Sequence, residues 1–132
     1  MLQFLLDTDI CIYFTKKLFG LAERLRAQGL DKCAISEITY AELLYGAANS
    51  QMPLKNAEAV ELFIVDLEVI PISSAIPIFA REKSRLRRIG KPLEDFDLLI
   101  GATAINHDLT LVTNNTRHFN RLQGIKLEDW TK

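Results

Sequence analysis

The sequence predicts an α/β layer fold built on a mostly parallel sheet. Three observations lead there. The chain holds short, mainly apolar runs, Leu2–Leu6, Val69–Ile72 and Leu109–Val112, of the length and character of buried strands. Longer stretches of helical period lie between successive runs, the pattern of crossover connections between parallel strands. At 132 residues the chain suits a single domain spanning 1–132, with enough length for a real core.

The elements follow in order. Leu2–Leu6 reads as a buried strand ending at Asp7, and Thr8 to about Lys16 as a short helix. Leu18–Gln28 is amphipathic through Leu18, Leu21 and Leu25 and stops at Gly29. Cys33–Ile35 is a second strand. Ser36 caps a helix running to about Ala48, whose expected apolar stripe is Ala41, Leu44, Tyr45 and Ala48. Pro53 restarts the chain, and Leu54–Leu67 is helical by period. Val69–Ile72 is a third strand. Ser73 or Ser74 caps the next helix, with Pro77 confined to its first turn and the end near Gly90. Lys91–Pro92 is a connector, residues from about Asp95 to Asn106 are helical, Leu109–Val112 is a fourth strand, and Ile125–Leu127 makes a fifth at an edge.

Composition narrows the function classes. The chain is 48% hydrophobic and 25% charged, ordinary for a soluble globular protein. No apolar run approaches the ~20 residues of a membrane span, and even Leu62–Val65 is bounded by acids. The N-terminus has no basic segment followed by a long apolar stretch, so no signal peptide and no membrane partner are expected. Cys11 and Cys33 lack metal-ligand spacing and read as buried thiols in a reducing, cytoplasmic setting. A net charge of −1 means that any basic footprint must be local. One stretch qualifies: Arg81, Lys83, Arg85, Arg87, Arg88 and Lys91 stand against the single acid Glu82. On a helix Arg81, Arg85 and Arg88 share a face, which either follows a phosphate backbone or is a solvated helix surface.

The carboxylates carry more information. Ligand sites in such sheets gather at the carboxyl ends of strands. Asp7 and Asp9 follow the first strand, and Thr113–Asn115 follow the fourth. Asp7 is either a helix N-cap or a charged group that needs a partner. Asp97 shares a helical stripe with Ile100, Gly101 and Ala104, so it falls on the face expected to meet the sheet; Asp95 is the more natural first-turn acid. Glu42 belongs either to a capping box with Thr39 or to a site. Acids gathered from separate segments repel one another and raise each other's pKa unless a cation joins them. Oxygen-only ligands suit Mg²⁺ or Mn²⁺, and such an ion assists phosphodiester cleavage without a Ser, Cys or His nucleophile. Competing signatures are missing: there is no P-loop, G-x-S-x-G or H-E-x-x-H pattern, and no G-x-G-x-x-G follows the first strand. His107 and His118 are isolated in sequence and expected to face solvent.

The same residues resemble a known family. Leu5-Leu6-Asp7-Thr8-Asp9 is similar to the opening LDTN motif of PIN-domain nucleases, with Asp in place of Asn. Thr39 to Gly46 resembles their ELxxG helix, and Asp95 to Ala104 their DxxIAA segment. Leu111 to Phe119 resembles the VTNN…F segment of VapC toxins, and Leu127-Glu128-Asp129-Trp130 is typical of how VapC chains close. The resemblance runs over essentially the whole chain, in order. It implies a three-layer α/β/α PIN domain with a four- to five-stranded sheet. It implies a Mg²⁺- or Mn²⁺-dependent endoribonuclease toxin that cleaves structured RNA such as tRNA, leaving 5′-phosphate and 3′-hydroxyl ends. It also implies a homodimer and a VapB-type antitoxin that occludes the site and alone contacts operator DNA.

Position by position, the resemblance makes Asp7, Glu42 and Asp97 the catalytic, metal-binding acids, with Glu42 acting directly or through water. Asn115 stands as a further metal ligand, and Thr8, Asp9, Asp95 and Thr113 as a supporting shell. Arg81, Arg85 and Arg88 are the expected RNA-backbone contacts. One departure is clear: Asn115 and His118 occupy positions where many PIN domains carry acids. A structure-specific DNA nuclease and a catalytically silent PIN binding module are the alternatives.

Overall fold

The computed structural model describes all of residues 1–132. The elements are β1 (Phe4–Leu6), α1 (Thr8–Thr15), α2 (Leu21–Gln28), β2 (Cys33–Ser36), α3 (Glu37–Ala48), α4 (Pro53–Ile64), β3 (Glu68–Ile70), α5 (Ile76–Arg88), α6 (Asp95–Asn106), β4 (Thr110–Val112), α7 (Thr116–Phe119) and β5 (Lys126–Glu128). The strands form one five-stranded sheet in the order β3-β2-β1-β4-β5. Every pairing is parallel.

The strands are three or four residues long, and β1 and β2 are buried throughout. Side chains alternate across the sheet, so β1 feeds both cores. Leu5 enters one with Ala34, Leu86, Leu98, Ile100 and Leu111. Phe4 and Leu6 enter the other with Ile10, Cys11, Leu25, Leu43 and Trp130. Helices α5 and α6 thus cover one face, while α1, α2 and part of α3 cover the other, which gives the expected three layers. Cys11 and Cys33 are free, buried thiols. No helix is long and apolar enough to cross a membrane.

The order of strands fixes where a site can form. From β1 the chain first builds outward to β2 and β3, then returns to the opposite side of β1 for β4 and β5. The connections at the carboxyl ends of β1 and β4 therefore part in opposite directions and leave a crevice. Asp7 and Thr113 are the residues directly after those two strands.

Local departures from the predicted elements have physical causes. Helix α2 begins at Leu21, not Leu18. Lys17, Phe19 and Gly20 all have positive φ (59°, 59° and 63°), which breaks the helix and leaves Leu18 exposed. Helix α3 buries Ile38, Thr39, Leu43 and Ala47, and Tyr45 from the predicted stripe is 70% exposed. This helix has apolar residues all round, so its sequence does not define which face turns inward. Helix α4 stops at Ile64, three residues before the expected end. The short α7 had no sequence signal of its own.

Candidate active site

Asp7 sits at the mouth of the crevice. Its extended backbone makes it the N-cap of α1, and its Oδ1 accepts the Thr8 N–H at 2.8 Å. The capping role and a site role thus coexist, because Oδ2 points the other way and accepts the Thr113 hydroxyl at 2.8 Å. Thr113 is itself fixed, since its Oγ1 accepts the Asn115 N–H at 3.0 Å. The carboxylate is 6% exposed and touches no cation; both its partners are neutral. Burial pushes it up from an ordinary 3.8 to about 6, against the two hydrogen bonds, and the charges of Asp9 and Asp97 add to the shift.

Thr8 carries the site across to α3. Its hydroxyl donates to Glu42 Oε1 at 2.6 Å and lies 3.0 Å from the buried Thr39 hydroxyl. The capping-box reading of Thr39 and Glu42 does not hold. Ser36 caps α3, accepting the Thr39 N–H at 3.2 Å, which releases Glu42 to face α1. Asp97 lies in the first turn of α6 with its side chain 30% exposed, and its Oδ2 is 3.3 Å from His118 Nε2. Burial raises its pKa; His118 opposes that shift, and Glu94 and Asp9 reinforce it. Asp9 is exposed on the first turn of α1.

Other expected participants are placed differently. His118 does not face solvent: α7 turns it onto Asp97, a contact that only the tertiary fold creates. Asn115 is exposed and contributes its backbone N–H rather than its side chain. Asp95 is paired on the surface with Lys83 at 2.8 Å. Arg85 is unavailable for a phosphate. Its guanidinium grips the fully buried Glu82 at 2.8 and 2.9 Å and donates to the Arg121 carbonyl at 2.7 Å. Arg81 and Arg88 remain exposed. Thr39 was missed as a site residue; a hydroxyl three positions before Glu42 is the only sequence hint of it.

The donors at the crevice are hard oxygens, the chemistry that suits Mg²⁺ or Mn²⁺. The Asp7 carboxylate, raised chiefly by burial without a cation and further by Asp9 and Asp97, fits a divalent ion. The side chains are not drawn into a closed ligand set: no three acid, His or Cys groups meet at metal-binding distance. Glu42 is turned to Thr8 and Asp97 to His118.

The PIN domain family model matches residues 4–125. The chain belongs to the PIN-domain family, in its VapC branch. It is 40% identical to the tRNA(fMet)-specific endonuclease VapC of Shigella flexneri, over 99% of this chain and 100% of that relative. It is 34% identical to Ribonuclease VapC2 of Rickettsia felis, over 98% of both chains. Among solved structures, DNA-bound VapBC from Salmonella typhimurium superposes with a TM-score of 0.92 at 39% identity, covering 98% of this chain and 99% of that one. VapBC-1 from nontypeable Haemophilus influenzae gives 0.87 at 33% identity, over 99% and 100%. The VapC assignment agrees with the geometry, since Asp7 and Thr113 from two of the motifs meet at the switch point of the sheet.

Proposed function

We propose that this chain is a divalent-metal-dependent endoribonuclease toxin that cuts structured RNA, of which tRNA is the leading candidate, and so inhibits translation. Its activity is held in check by a VapB-type antitoxin, through which alone it reaches operator DNA. The observation that carries the reading is Asp7: a carboxylate buried at the switch point, raised to about 6, within the field of Asp97 and joined through Thr8 to Glu42. The relatives' names, tRNA(fMet)-specific endonuclease and ribonuclease, support the substrate class. The VapBC complexes among the structural neighbours support the partner.

In this reading Asp7 and Asp97 hold Mg²⁺ or Mn²⁺. When bound, the ion supplies positive charge that lowers the pKa of water and offsets charge on the phosphate being cut. Thr8 and Thr113 fix the two oxygens of Asp7, so the carboxylate need not reorganise during reaction. Glu42 orients water or accepts its proton, with Thr8 setting the angle of its carboxylate. His118 lies 3.3 Å from Asp97 Oδ2 and restrains that carboxylate.

The decisive test is cleavage of purified RNA by the wild type and by Asp97→Asn, each with Mg²⁺, with Mn²⁺ and with EDTA. Cutting should require the metal and be lost in the variant. Wild-type cutting by Asp97→Asn, or in EDTA, would refute the assignment. Single-stranded DNA as a parallel substrate separates this reading from a DNA nuclease.

A further inference from the structure

A concave basic site lies where the connector after α5 meets α7 and the segment that follows it. A cavity of about 430 Å³ is lined by Ile89, Lys91, Arg117, Asn120 and Arg121. Three of these five residues are cations and none is an acid. None of the three takes part in an ion pair with a carboxylate. This is unusual in a chain whose net charge is −1.

Its walls are fixed rather than loose. The Lys91 N–H donates to the Leu86 carbonyl at 2.9 Å, which folds the connector back onto α5. Arg121 Nη1 donates across the cleft to the Pro92 carbonyl at 2.9 Å. The Arg121 carbonyl is held by Arg85 at 2.7 Å, and the Gln123 N–H donates to Glu82 at 2.8 Å. The buried Glu82–Arg85 pair thus sets one wall of the cavity. Both walls also lead to the same acid: Lys91 and Pro92 run into the first turn of α6, which carries Asp97, and Arg117 precedes His118, which touches Asp97.

We infer that this cleft is a binding subsite for the phosphodiester backbone of RNA, feeding the strand toward Asp97. The inference rests on the ribonuclease reading above. Arg117 and Arg121 offer planar guanidinium donors that match phosphate oxygens, Lys91 adds a point charge, and the Asn120 amide can donate a further hydrogen bond. Concave walls concentrate the field of unpaired cations where the backbone enters. The exposed Arg81 and Arg88 of α5 do not line this cavity.

The test uses the full chain carrying Asp7→Asn to block cutting, with a labelled single-stranded RNA as probe. Binding is followed by fluorescence anisotropy over a series of salt concentrations. Adding Lys91→Gln, Arg117→Gln and Arg121→Gln should weaken binding and flatten the logarithmic salt dependence by roughly 2, about 0.7 for each lost phosphate contact. The matched variant Arg81→Gln/Arg88→Gln should change the slope far less, and melting curves check that both remain folded. An unchanged slope in the cleft variant, or an equal loss in the matched one, overturns the inference. So does cleft-dependent binding of polyglutamate in place of RNA, which would assign the cavity to an acidic protein segment. Cleavage by the wild type is measured separately. Cutting with an unchanged slope sinks the subsite alone, and a flattened slope without cutting sinks the nuclease reading alone.

Discussion

At the scale of single residues, Asp7 places function and stability in opposition. Its folded carboxyl binds protons more tightly than the unfolded one, with a pKa of about 6 against 3.8. Below both values its protonation state is the same folded and unfolded, and it costs nothing. Between about pH 4 and 6 the folded state loses stability as pH rises, and above 6 the full penalty stands, about 3 kcal/mol at most. Asp7→Asn should therefore abolish cleavage yet raise the melting temperature at pH 8, with little change at pH 4. Melting curves at the two values check this, and a destabilised variant at pH 8 would contradict it. Thr113→Val makes the complementary case. It strips a donor from Asp7 and an acceptor from the Asn115 N–H, so stability should fall by about 1–3 kcal/mol, measured by urea unfolding. The same change should move the cleavage profile to higher pH, because a hydrogen bond that lowers the Asp7 pKa is gone.

At the scale of elements, two close approaches hold the far side of the sheet together. Glu82 in α5 is fully buried and serves Arg85 and the Gln123 N–H at once. Glu82→Ala leaves Arg85 half-buried without its partner, and a loss of about 3–5 kcal/mol is expected. Replacing both as Glu82→Leu/Arg85→Met should recover much of that loss, a comparison that denaturant titration of the three variants makes directly. Gly101 in α6 is the other. A β-carbon there would collide with the buried Leu122 side chain and meet Phe119. Helix propensity alone favours alanine by about 1 kcal/mol. Packing reverses the sign, so Gly101→Ala should destabilise by about 1–3 kcal/mol in the same measurement. Legibility also varied by element. Helix α6 was readable, expected from about Asp95 to Asn106 and found over Asp95–Asn106, because the Lys91–Pro92 connector precedes it and a strand follows. The inward face of α3 was not, because apolar residues surround that helix and only its packing in the fold selects Leu43 over Tyr45.

At the scale of the whole molecule, the parallel order β3-β2-β1-β4-β5 brings the end of β1 and the end of β4 to one crevice, more than a hundred residues apart in sequence. A divalent cation should bind there and stabilise the chain as a unit. At a concentration of Mg²⁺ or Mn²⁺ one hundred times the dissociation constant, linkage gives about 2.7 kcal/mol. The gain should be larger at pH 8 than at pH 5, because Asp7 must give up its proton first. Melting temperatures of the wild type with and without the ion test this, and an equal shift in Asp7→Asn would place the ion elsewhere.

The sequence by itself determined the α/β class and the order of the strands along the chain, and it singled out Asp7, Glu42 and Asp97 as candidates, because strand hydrophobicity, helix periodicity and short motifs are local properties of the chain. Only the tertiary structure decided what those acids touch. Thr8 joins Asp7 to Glu42, Thr113 holds the other oxygen of Asp7, and His118 reaches Asp97. These contacts depend on where α3, β4 and α7 come to rest, and non-local packing leaves no periodic trace in sequence. For the same reason a basic stripe on α5 was legible, while the cleft of Lys91, Arg117 and Arg121 was not: its cations come from two segments that only the fold makes neighbours.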